Sequence, residues 1–330
     1  MNAVPYDYVF TVFTATYNRA HTLHRVYDSL AAQTFRDFEW LVVDDGSTDS
    51  TRALLSSWRK GAAFNIRYLH QPNQGKHVAY NHAVAKARGA LFLTLDSDDA
   101  CVPHALETLK YHWDAIPSEL KHRFSGISAL CVDQRDRVIG DSFPRHPFDS
   151  DYFACLYRWK LSGDKCGFYR TDILREFPFP VPPVRLSHIP EGVVWSRIGK
   201  KYQTRHINES LYRVYETEGS LTRIRDLSQH AFQIVFYRRV VLNEHLDYFC
   251  YAPLDFVRAG ANYLRWSLHL SESVLRQIGL LRRVGARIMC VLLLPVATVL
   301  FLDDRRSNAI GRRWRLVEAA IGILRVRRHR

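Results

Sequence analysis

The chain has 330 residues, which is enough for one large domain or two small ones with a substantial core. Its composition, 47% hydrophobic and 24% charged, is ordinary for a globular protein and argues against intrinsic disorder. Residues 256–330 hold 15 Arg or Lys against 4 Asp or Glu, so most of the net charge of +13 lies there and favours an anionic partner, either membrane lipid or nucleic acid.

The first hundred residues alternate strand-like and helix-like segments. Buried strands are predicted over Tyr8–Thr14, Phe38–Val43, Ile66–His70 and Ala90–Leu95. Helices are predicted over residues 20–33, from a cap at Ser47 or Thr48 to about Lys60, and over Lys76–Arg88. This alternation predicts a mostly parallel sheet with helices on both faces, and ligands of such sheets bind beyond the carboxyl ends of the strands.

The rest of the chain changes character twice. Residues 124–215 mix turns, prolines and short strands, and the sequence beyond residue 228 is helical. Within the helical part, Ile288–Leu302 is an uncharged run of fifteen residues interrupted by Pro295.

Cysteine usage bears on the compartment. Six cysteines stand singly, at positions 101, 131, 155, 166, 250 and 290, so the spacing supports neither a zinc cluster nor a redox dithiol. The histidines do not form a metal pair at helical spacing either. Because the N-terminus also shows no secretory-signal pattern, we expect a reducing, cytoplasmic compartment.

An acidic cluster follows the fourth predicted strand directly. Asp96, Asp98 and Asp99 would repel one another unless a cation lay among them, and carboxylate oxygens suit Mg²⁺ or Mn²⁺. The alternative is a solvated turn that caps a helix, since Pro103 soon opens one.

Two further polar clusters follow the first and second strands. Asp45 can accept hydrogen bonds from a base or ribose, Tyr17 can stack on a nucleobase, and Arg19 can meet phosphate. Each cluster alone is equally compatible with an ordinary strand-to-helix turn.

The joint pattern is more specific than its parts. Thr16-Tyr17-Asn18-Arg19, Asp44-Asp45-Gly46-Ser47 and Asp96-Ser97-Asp98-Asp99 occur in this order, with Asn73–His77 between the last two. Over residues 8–220 this resembles glycosyltransferase family 2, an inverting nucleotide-sugar family whose catalytic domain has the GT-A fold.

The resemblance implies a role for each matching residue. Donor-binding positions are Thr16, Tyr17, Arg19, Asp45, Gly75, Lys76 and Asp96. Among them Tyr17 and Asp45 match positions that hold the nucleobase, usually uracil, and Asp96 matches the one that faces the ribose. Asp98 matches the ligand of a divalent cation on the diphosphate, and Asp99 an acid beside that metal.

The family also supplies a general base from a downstream acid. The segment Ile189–Trp195 looks like that region and makes Glu191 the candidate base. Gly192 stands where many relatives carry Asp, so Asp164 is the reserve candidate. Asp164 is otherwise expected to line the acceptor pocket.

The C-terminal segment predicts membrane association. Ile288–Leu302 is shorter than the roughly 20 apolar residues of a spanning helix. Arginines follow it through residue 330 and precede it from residue 282, which favours an interfacial or re-entrant anchor on an anionic surface. The alternative is a core helix that covers the catalytic domain. No motif supports nucleic acid as the partner.

These observations predict a GT-A catalytic domain over residues 1–225, with a nucleotide-sugar half (1–123) and an acceptor half (124–225), and a helical basic extension over 226–330. The predicted activity is transfer of a sugar, with Mn²⁺ or Mg²⁺, from a UDP-sugar to a glycan or lipid-linked acceptor in cell-surface polysaccharide synthesis, at the inner face of the cell membrane. One alternative is a nucleotidyltransferase, although Thr16–Ala20 lacks the Gly-rich loop such enzymes use. The other is a non-catalytic, membrane-bound scaffold.

Overall fold

The computed structural model describes residues 6–183, 186–216 and 227–306, which fall into two units, one within residues 1–224 and one within 225–330. The strands of the first unit are β1 (Tyr8–Thr16), β2 (Phe38–Asp44), β3 (Asn65–His70), β4 (Gly89–Thr94), β5 (Ala100–Cys101), β6 (Phe124–Val132), β7 (Phe148–Ser150), β8 (Lys165–Arg170) and β9 (Gln203–Arg213). Its helices are α1 (Leu23–Ala31), α2 (Thr51–Trp58), α3 (Lys76–Lys86), α4 (Ala105–Asp114), α5 (Thr171–Glu176) and α6 (Gly192–Gly199).

The nine strands form one sheet in the order β3-β2-β1-β4-β8-β6-β9-β5, and β7 pairs with β9. The first four strands of this order are parallel, as the alternating sequence pattern predicts. Strand β8 runs antiparallel to both β4 and β6, whereas β6 and β9 are parallel. The α/β fold with flanking helices is therefore confirmed. Parallel pairing dominates only the first half, because β8 reverses direction beside β4.

The core lies on both faces of the parallel half. Every residue of β2 is buried, which is typical of a strand covered by helices on both sides. This includes Glu39, whose carboxylate accepts hydrogen bonds from Thr11 Oγ1 and an Arg67 guanidinium nitrogen, both at 2.7 Å. The backbone N–H of Arg88 also donates to it, at 2.8 Å. A charge buried in this way is tolerated because each of its oxygens has a partner.

The predicted cap of α2 is wrong. The helix begins at Thr51, and residues 47–49 instead form a loop that holds the end of β1. Asn18 N–H donates to Ser47 Oγ at 2.9 Å, and Asn18 Oδ1 accepts from Thr48 N–H at 2.8 Å. Polar residues that would satisfy a helix terminus are used for a loop-to-loop contact, which no local pattern reveals.

The second unit is helical, with α7 (Leu227–Glu244), α8 (Pro253–His269), α9 (Val274–Gly279) and α10 (Val284–Arg306). Helix α10 continues through Pro295 and packs on α8. The Leu293 side chain lies 3.0 Å from the position that a Cβ of Gly260 would occupy. Asp304 of α10 is buried and paired with Arg265 and His269 of α8. Among the residues the structure describes, α10 has the length and composition of a membrane-crossing helix. The basic segment 307–330, which is predicted to contact an anionic surface, lies outside the described residues.

Candidate functional site

A cavity of about 1190 Å³ opens where β1, β2 and β4 end. Polar segments that are far apart in the chain meet there, because parallel strands present their carboxyl ends at one edge. All the residues singled out from the sequence line it: Thr16, Tyr17, Arg19, Asp45, Gly75, Lys76, Asp96, Asp98, Asp99, Asp164 and Glu191.

The end of β1 contributes an unusual buried hydroxyl. Thr16 is 2% exposed, and its Oγ1 has no hydrogen-bond partner among the residues that the structure describes. A buried polar atom without a partner costs free energy, so this position suits a hydroxyl that a ligand satisfies. Tyr17, the next residue, is 48% exposed and leaves its ring available at the cavity.

The end of β2 anchors the loop that precedes α3. Asp45 is buried, and its Oδ1 accepts hydrogen bonds from Gln71 Nε2 and from Gln74 N–H, each at 2.8 Å. Its Oδ2 accepts from Gly75 N–H, also at 2.8 Å. Asp45 therefore shapes the loop between β3 and α3 in addition to lining the cavity.

Gly75 and Lys76 connect this loop to the segment that precedes α6. Gly75 has φ +98°, which favours glycine, and a Cβ there would lie 2.1 Å from the carbonyl oxygen of Leu186. Lys76 Nζ lies 2.8 Å from Asp96 and 3.4 Å from Glu191. Burial opposes the charge on Lys76, but these two carboxylates hold the pKa of its ammonium above the ordinary value.

The three acids after β4 diverge, each toward its own partner. Asp96 pairs with Lys76, and Asp98 pairs with Arg19 at 3.5 Å. Asp99 is 6% exposed and accepts a hydrogen bond from Tyr215 N–H at 2.9 Å. Lys76 and Arg19 thus offset the charges of Asp96 and Asp98, whereas both of these acids still oppose the charge on Asp99.

Asp99 differs from the other two acids in its surroundings. Burial raises the pKa of its carboxyl to about 7, although the Tyr215 N–H opposes this shift. Through that bond Asp99 positions the chain just beyond β9 beside the cavity. Arg25 completes the arrangement, because its guanidinium lies over the Tyr215 ring and donates to the carbonyl oxygen of Asp98 at 3.1 Å.

The two candidate bases lie on different segments. Glu191 precedes α6 and its side chain is 47% exposed. In addition to its contact with Lys76, Glu191 accepts a hydrogen bond at Oε2 from the indole N–H of Trp195, at 3.3 Å. Asp164 lies before β8, and its carboxylate also borders the cavity.

Sequence reasoning missed several residues that position the site. Tyr212 on β9 accepts a hydrogen bond from Asp96 N–H through its hydroxyl, at 2.7 Å. Trp195 stacks on Tyr169 of β8 with ring centroids 4.4 Å apart. The strand pairing that brings β8 and β9 to this edge involves distant segments, and the sequence has no local signal for it.

The far side of the cavity is more apolar. Its walls include Phe143, Tyr152, Leu156, Leu161 and Ile198. His206 of β9 also lines it, with Nε2 3.4 Å from Cys155 Sγ. Burial lowers the pKa of His206 to about 4, so its imidazole is neutral at physiological pH.

The fold and this edge define an α/β domain with a polar cavity at the ends of its parallel strands, and comparison with known sequences gives its family. Residues 11–124 match the model of glycosyl transferase family 2. Residues 11–124 therefore form a glycosyltransferase family 2 domain, as the sequence motifs predict.

Three curated relatives show how far the likeness extends. An uncharacterized glycosyltransferase of Nostoc sp. is 28% identical over 62% of this chain and 64% of its own length. An uncharacterized glycosyltransferase of Rickettsia felis is 38% identical over 79% of this chain and 42% of its own length. Hyaluronan synthase of Pasteurella multocida is 24% identical over 89% of this chain and 29% of its own length. The chain thus spans less than two thirds of each of these relatives.

Solved structures share the fold. S. aureus TarS 1–349 in complex with UDP superposes with a TM-score of 0.55, at 18% identity, over 91% of both chains. GalNAc-T7 with UDP, GalNAc and Mn²⁺ superposes with a TM-score of 0.53, at 14% identity, over 82% of this chain and 56% of the other. These likenesses establish the GT-A architecture of the first unit.

Proposed function

We propose that this chain is a metal-dependent, inverting glycosyltransferase that moves a sugar from a UDP-sugar to a glycan or lipid-linked acceptor. The observation that supports it most is that every residue expected of such a site lines one cavity, to which they come from the ends of β1, β2 and β4, the start of α3 and the segments before β8 and α6. Structural neighbours crystallised with UDP make UDP the first nucleotide to test.

In this proposal the donor lies along the ends of the parallel strands. Thr16 and Asp45 border the nucleoside, Tyr17 offers a ring for stacking, and Arg19 meets phosphate. Lys76 supplies a second cation near the diphosphate, and it holds Asp96 at the same time.

The residues present fit a divalent cation at Asp98. Its side chain is 17% exposed toward the cavity, and its pair with Arg19, at 3.5 Å, is loose enough to exchange for a substrate phosphate. Carboxylate oxygens of this kind hold Mg²⁺ or Mn²⁺ together with substrate phosphates, and Asp99 would support the site from behind. When bound, the cation neutralises charge that develops on the departing diphosphate.

Glu191 is the proposed base. It accepts the proton of the acceptor hydroxyl while that oxygen attacks the anomeric carbon from the face opposite the diphosphate, so the configuration inverts. Lys76 contacts Oε1 of Glu191 and the Trp195 indole N–H donates to Oε2, so that each oxygen is oriented by its own partner. The apolar wall beyond it would take the remainder of the acceptor.

The second unit would attach the enzyme to a membrane. Helix α10 exposes Ile288, Val291, Leu292, Val296, Val299 and Leu302 along one side. The other side packs on α8, which itself carries Asp255, Arg258 and Arg265. Because a spanning α10 would take these charges into lipid, the arrangement favours a helix that lies in the interface. Attachment to a membrane would place the enzyme near cell-surface polysaccharide precursors. The likeness to hyaluronan synthase also supports an acceptor of this type.

The test is a thermal-shift series with UDP, GDP, CDP and dTDP, each with Mn²⁺ or with EDTA. We expect UDP with Mn²⁺ to raise the melting temperature, because a ligand at a hundred times its Kd stabilises the fold by about 2.7 kcal/mol. No shift with any nucleotide, in folded protein, would support the scaffold alternative.

Two variants make the result specific. Asp98→Asn should abolish the Mn²⁺-dependent part of the shift and leave the fold intact. Thr16→Val should weaken UDP binding by roughly 0.5–1.5 kcal/mol without destabilising the free protein, because the hydroxyl it removes has no partner there. Full UDP binding by Thr16→Val would remove Thr16 from the donor site.

A further inference from the structure

We propose that His112, His146 and Glu209 form a second cation site, for a transition metal such as Zn²⁺, outside the donor cavity. Three elements meet there: the last turn of α4, the loop before β7, and β9. The imidazole nitrogens and carboxylate oxygen that would bind the metal all lie within 4.8 Å of one another. None of the three residues lines the donor cavity.

The distances between the ligand atoms are close to those around a bound metal ion, and one pair would move apart while another approaches. His112 Nε2 lies 2.8 Å from Glu209 Oε1, and His146 Nε2 lies 3.8 Å from the same oxygen. Ligand atoms around tetrahedral zinc are about 3.3 Å apart, given metal–ligand bonds of about 2.0–2.1 Å. Small rotations of the side chains would therefore gather all three around one ion.

The three ligand side chains differ in how far they are exposed to solvent. The His112 side chain is 9% exposed and provides a fixed anchor on α4. Glu209 and His146 are half-exposed, at 36% and 40%, so their side chains can rotate onto an entering ion. A cavity of about 590 Å³ borders the cluster and leaves room for a water as a fourth ligand.

The surrounding charges leave the Glu209 carboxylate available. In the described part of the chain, Glu209 pairs with two imidazoles, those of His112 and His146. Arg205, which lines the same small cavity, is instead engaged by Asp149 at 2.8 and 2.9 Å. A metal ion would supply the full positive charge that Glu209 lacks.

The donor set selects the metal. Two nitrogens and one oxygen suit Zn²⁺ and its neighbours, whereas Mg²⁺ prefers oxygen alone. Binding requires both histidines to change their hydrogen bonding. His112 Nε2 now donates to Glu209 Oε1 at 2.8 Å and must give up that proton, and Asn208 N–H now donates to His146 Nδ1 at 3.0 Å. In the neutral ring the proton is then on Nε2 and must move to Nδ1 when the metal takes its place, so the ring must turn away from Asn208.

A bound ion would tie α4 to β9 and to the loop before β7. These segments belong to the acceptor half of the sheet, so the expected effect is structural and independent of the donor. It can be measured without an activity assay.

The experiment uses the full chain after removal of metals with EDTA. Zn²⁺ is titrated by calorimetry, and Co²⁺ is added to a second sample to record its visible absorption, in both cases without nucleotide and with excess Mg²⁺. We expect one equivalent of Zn²⁺ per chain, a rise of several degrees in melting temperature, and the intense visible bands of four-coordinate Co²⁺.

Variants locate the ion. His146→Ala and Glu209→Gln, at half-exposed positions that are safe for folding, should each weaken Zn²⁺ binding at least ten-fold. The exposed His122→Ala is the matched control and should bind normally, and Asp98→Asn should also bind normally because the donor site is separate. Absence of Zn²⁺ binding by the parent protein would overturn the proposal, as would unchanged binding by both His146→Ala and Glu209→Gln.

Discussion

At the scale of single residues, the site is an arrangement of charges that neutralise one another. Lys76 lies between Asp96 and Glu191, and Arg19 lies beside Asp98, so cations stand next to the exposed acids before any ligand arrives. Such pairs can be exchanged for substrate phosphate and metal without leaving a buried charge alone. Asp99 differs from them, because its partners are the Tyr215 N–H and the Tyr212 hydroxyl.

The choice between the two candidate bases is open to a matched pair of variants. Glu191→Gln should lower kcat for UDP-sugar turnover by about 10²–10⁴-fold, because a general base contributes on that order. UDP binding should persist, since Gln still accepts the Trp195 N–H. Asp164→Asn should act mainly on the acceptor KM. If the two results are exchanged, Asp164 is the base and Glu191 is a positioning residue.

His206 predicts how stability depends on pH. Burial lowers its pKa to about 4 in the folded protein, against an ordinary value of about 6.5, although nearby Asp149 opposes the shift and Lys165 adds to it. On acidification the unfolded chain therefore takes up the proton first. The contribution of neutral His206 to the free energy of unfolding is therefore complete above pH ~6.5. It is lost progressively as the pH falls toward 4, by up to about 3 kcal/mol.

His206→Phe should flatten this acid limb and leave stability at pH 8 unchanged or higher, because the ring already lies beside Phe143 and its Nδ1 has no partner. Urea unfolding at a series of pH values measures the difference. The exposed His122→Phe provides the control. An acid limb of unchanged slope in His206→Phe would show that other groups cause it.

At the scale of elements, the loop between β3 and α3 depends on one glycine. Gly75 has φ +98°, its N–H is held by Asp45, and a Cβ would meet the carbonyl oxygens of Leu186 and Ser187 at 2.1 and 2.9 Å. Both obstacles are backbone atoms, so the strain cannot be relieved by turning a side chain.

Gly75→Ala should therefore destabilise the protein by roughly 1–3 kcal/mol and weaken UDP binding, since Lys76 moves with the loop. Thermal melts with and without UDP measure both effects. Gly61→Ala is the matched control, because nothing lies within 4 Å of its Cβ position, and it should be neutral. A neutral Gly75→Ala would mean that the loop is not held in this conformation.

At the scale of the whole molecule, α10 gives the second unit a one-sided apolar surface. Leu292 is 73% exposed, and its neighbours on the same side are exposed as well. An apolar face of this length is rarely left in water. Arginines at both helix ends would lie at the level of anionic headgroups.

Leu292→Lys should lower partitioning onto vesicles that contain anionic lipid by about ten-fold or more, because a buried Leu contributes roughly 1.5–3 kcal/mol. Co-sedimentation with vesicles measures it. Val181→Lys, at a position 62% exposed in the first unit, adds the same charge elsewhere and should have no such effect. Equal partitioning of parent and Leu292→Lys would show that α10 does not enter the lipid surface.

The order of periodic segments along the chain is sufficient to predict the parallel part of the sheet, and the polar motifs that follow the strands predict the family. Segments with strand and helix periodicity follow one another there, and a right-handed parallel series puts the ends of β1, β2 and β4 on one edge. Polar clusters that come directly after strands in the chain must therefore meet in space. Tyr17, Asp45 and Asp98 are therefore predictable from the sequence as residues of one cavity.

Features that depend on the pairing of distant segments could not be predicted from the sequence. The reversal at β8, the use of residues 47–49 to hold Asn18, and the contact between Tyr212 and Asp96 all join segments whose separation no periodicity encodes. The cluster of His112, His146 and Glu209 is the clearest case, since its members are 34 and 63 residues apart in the chain. A sequence motif reports ligands that share one element, whereas ligands from three elements become neighbours only when the sheet has formed.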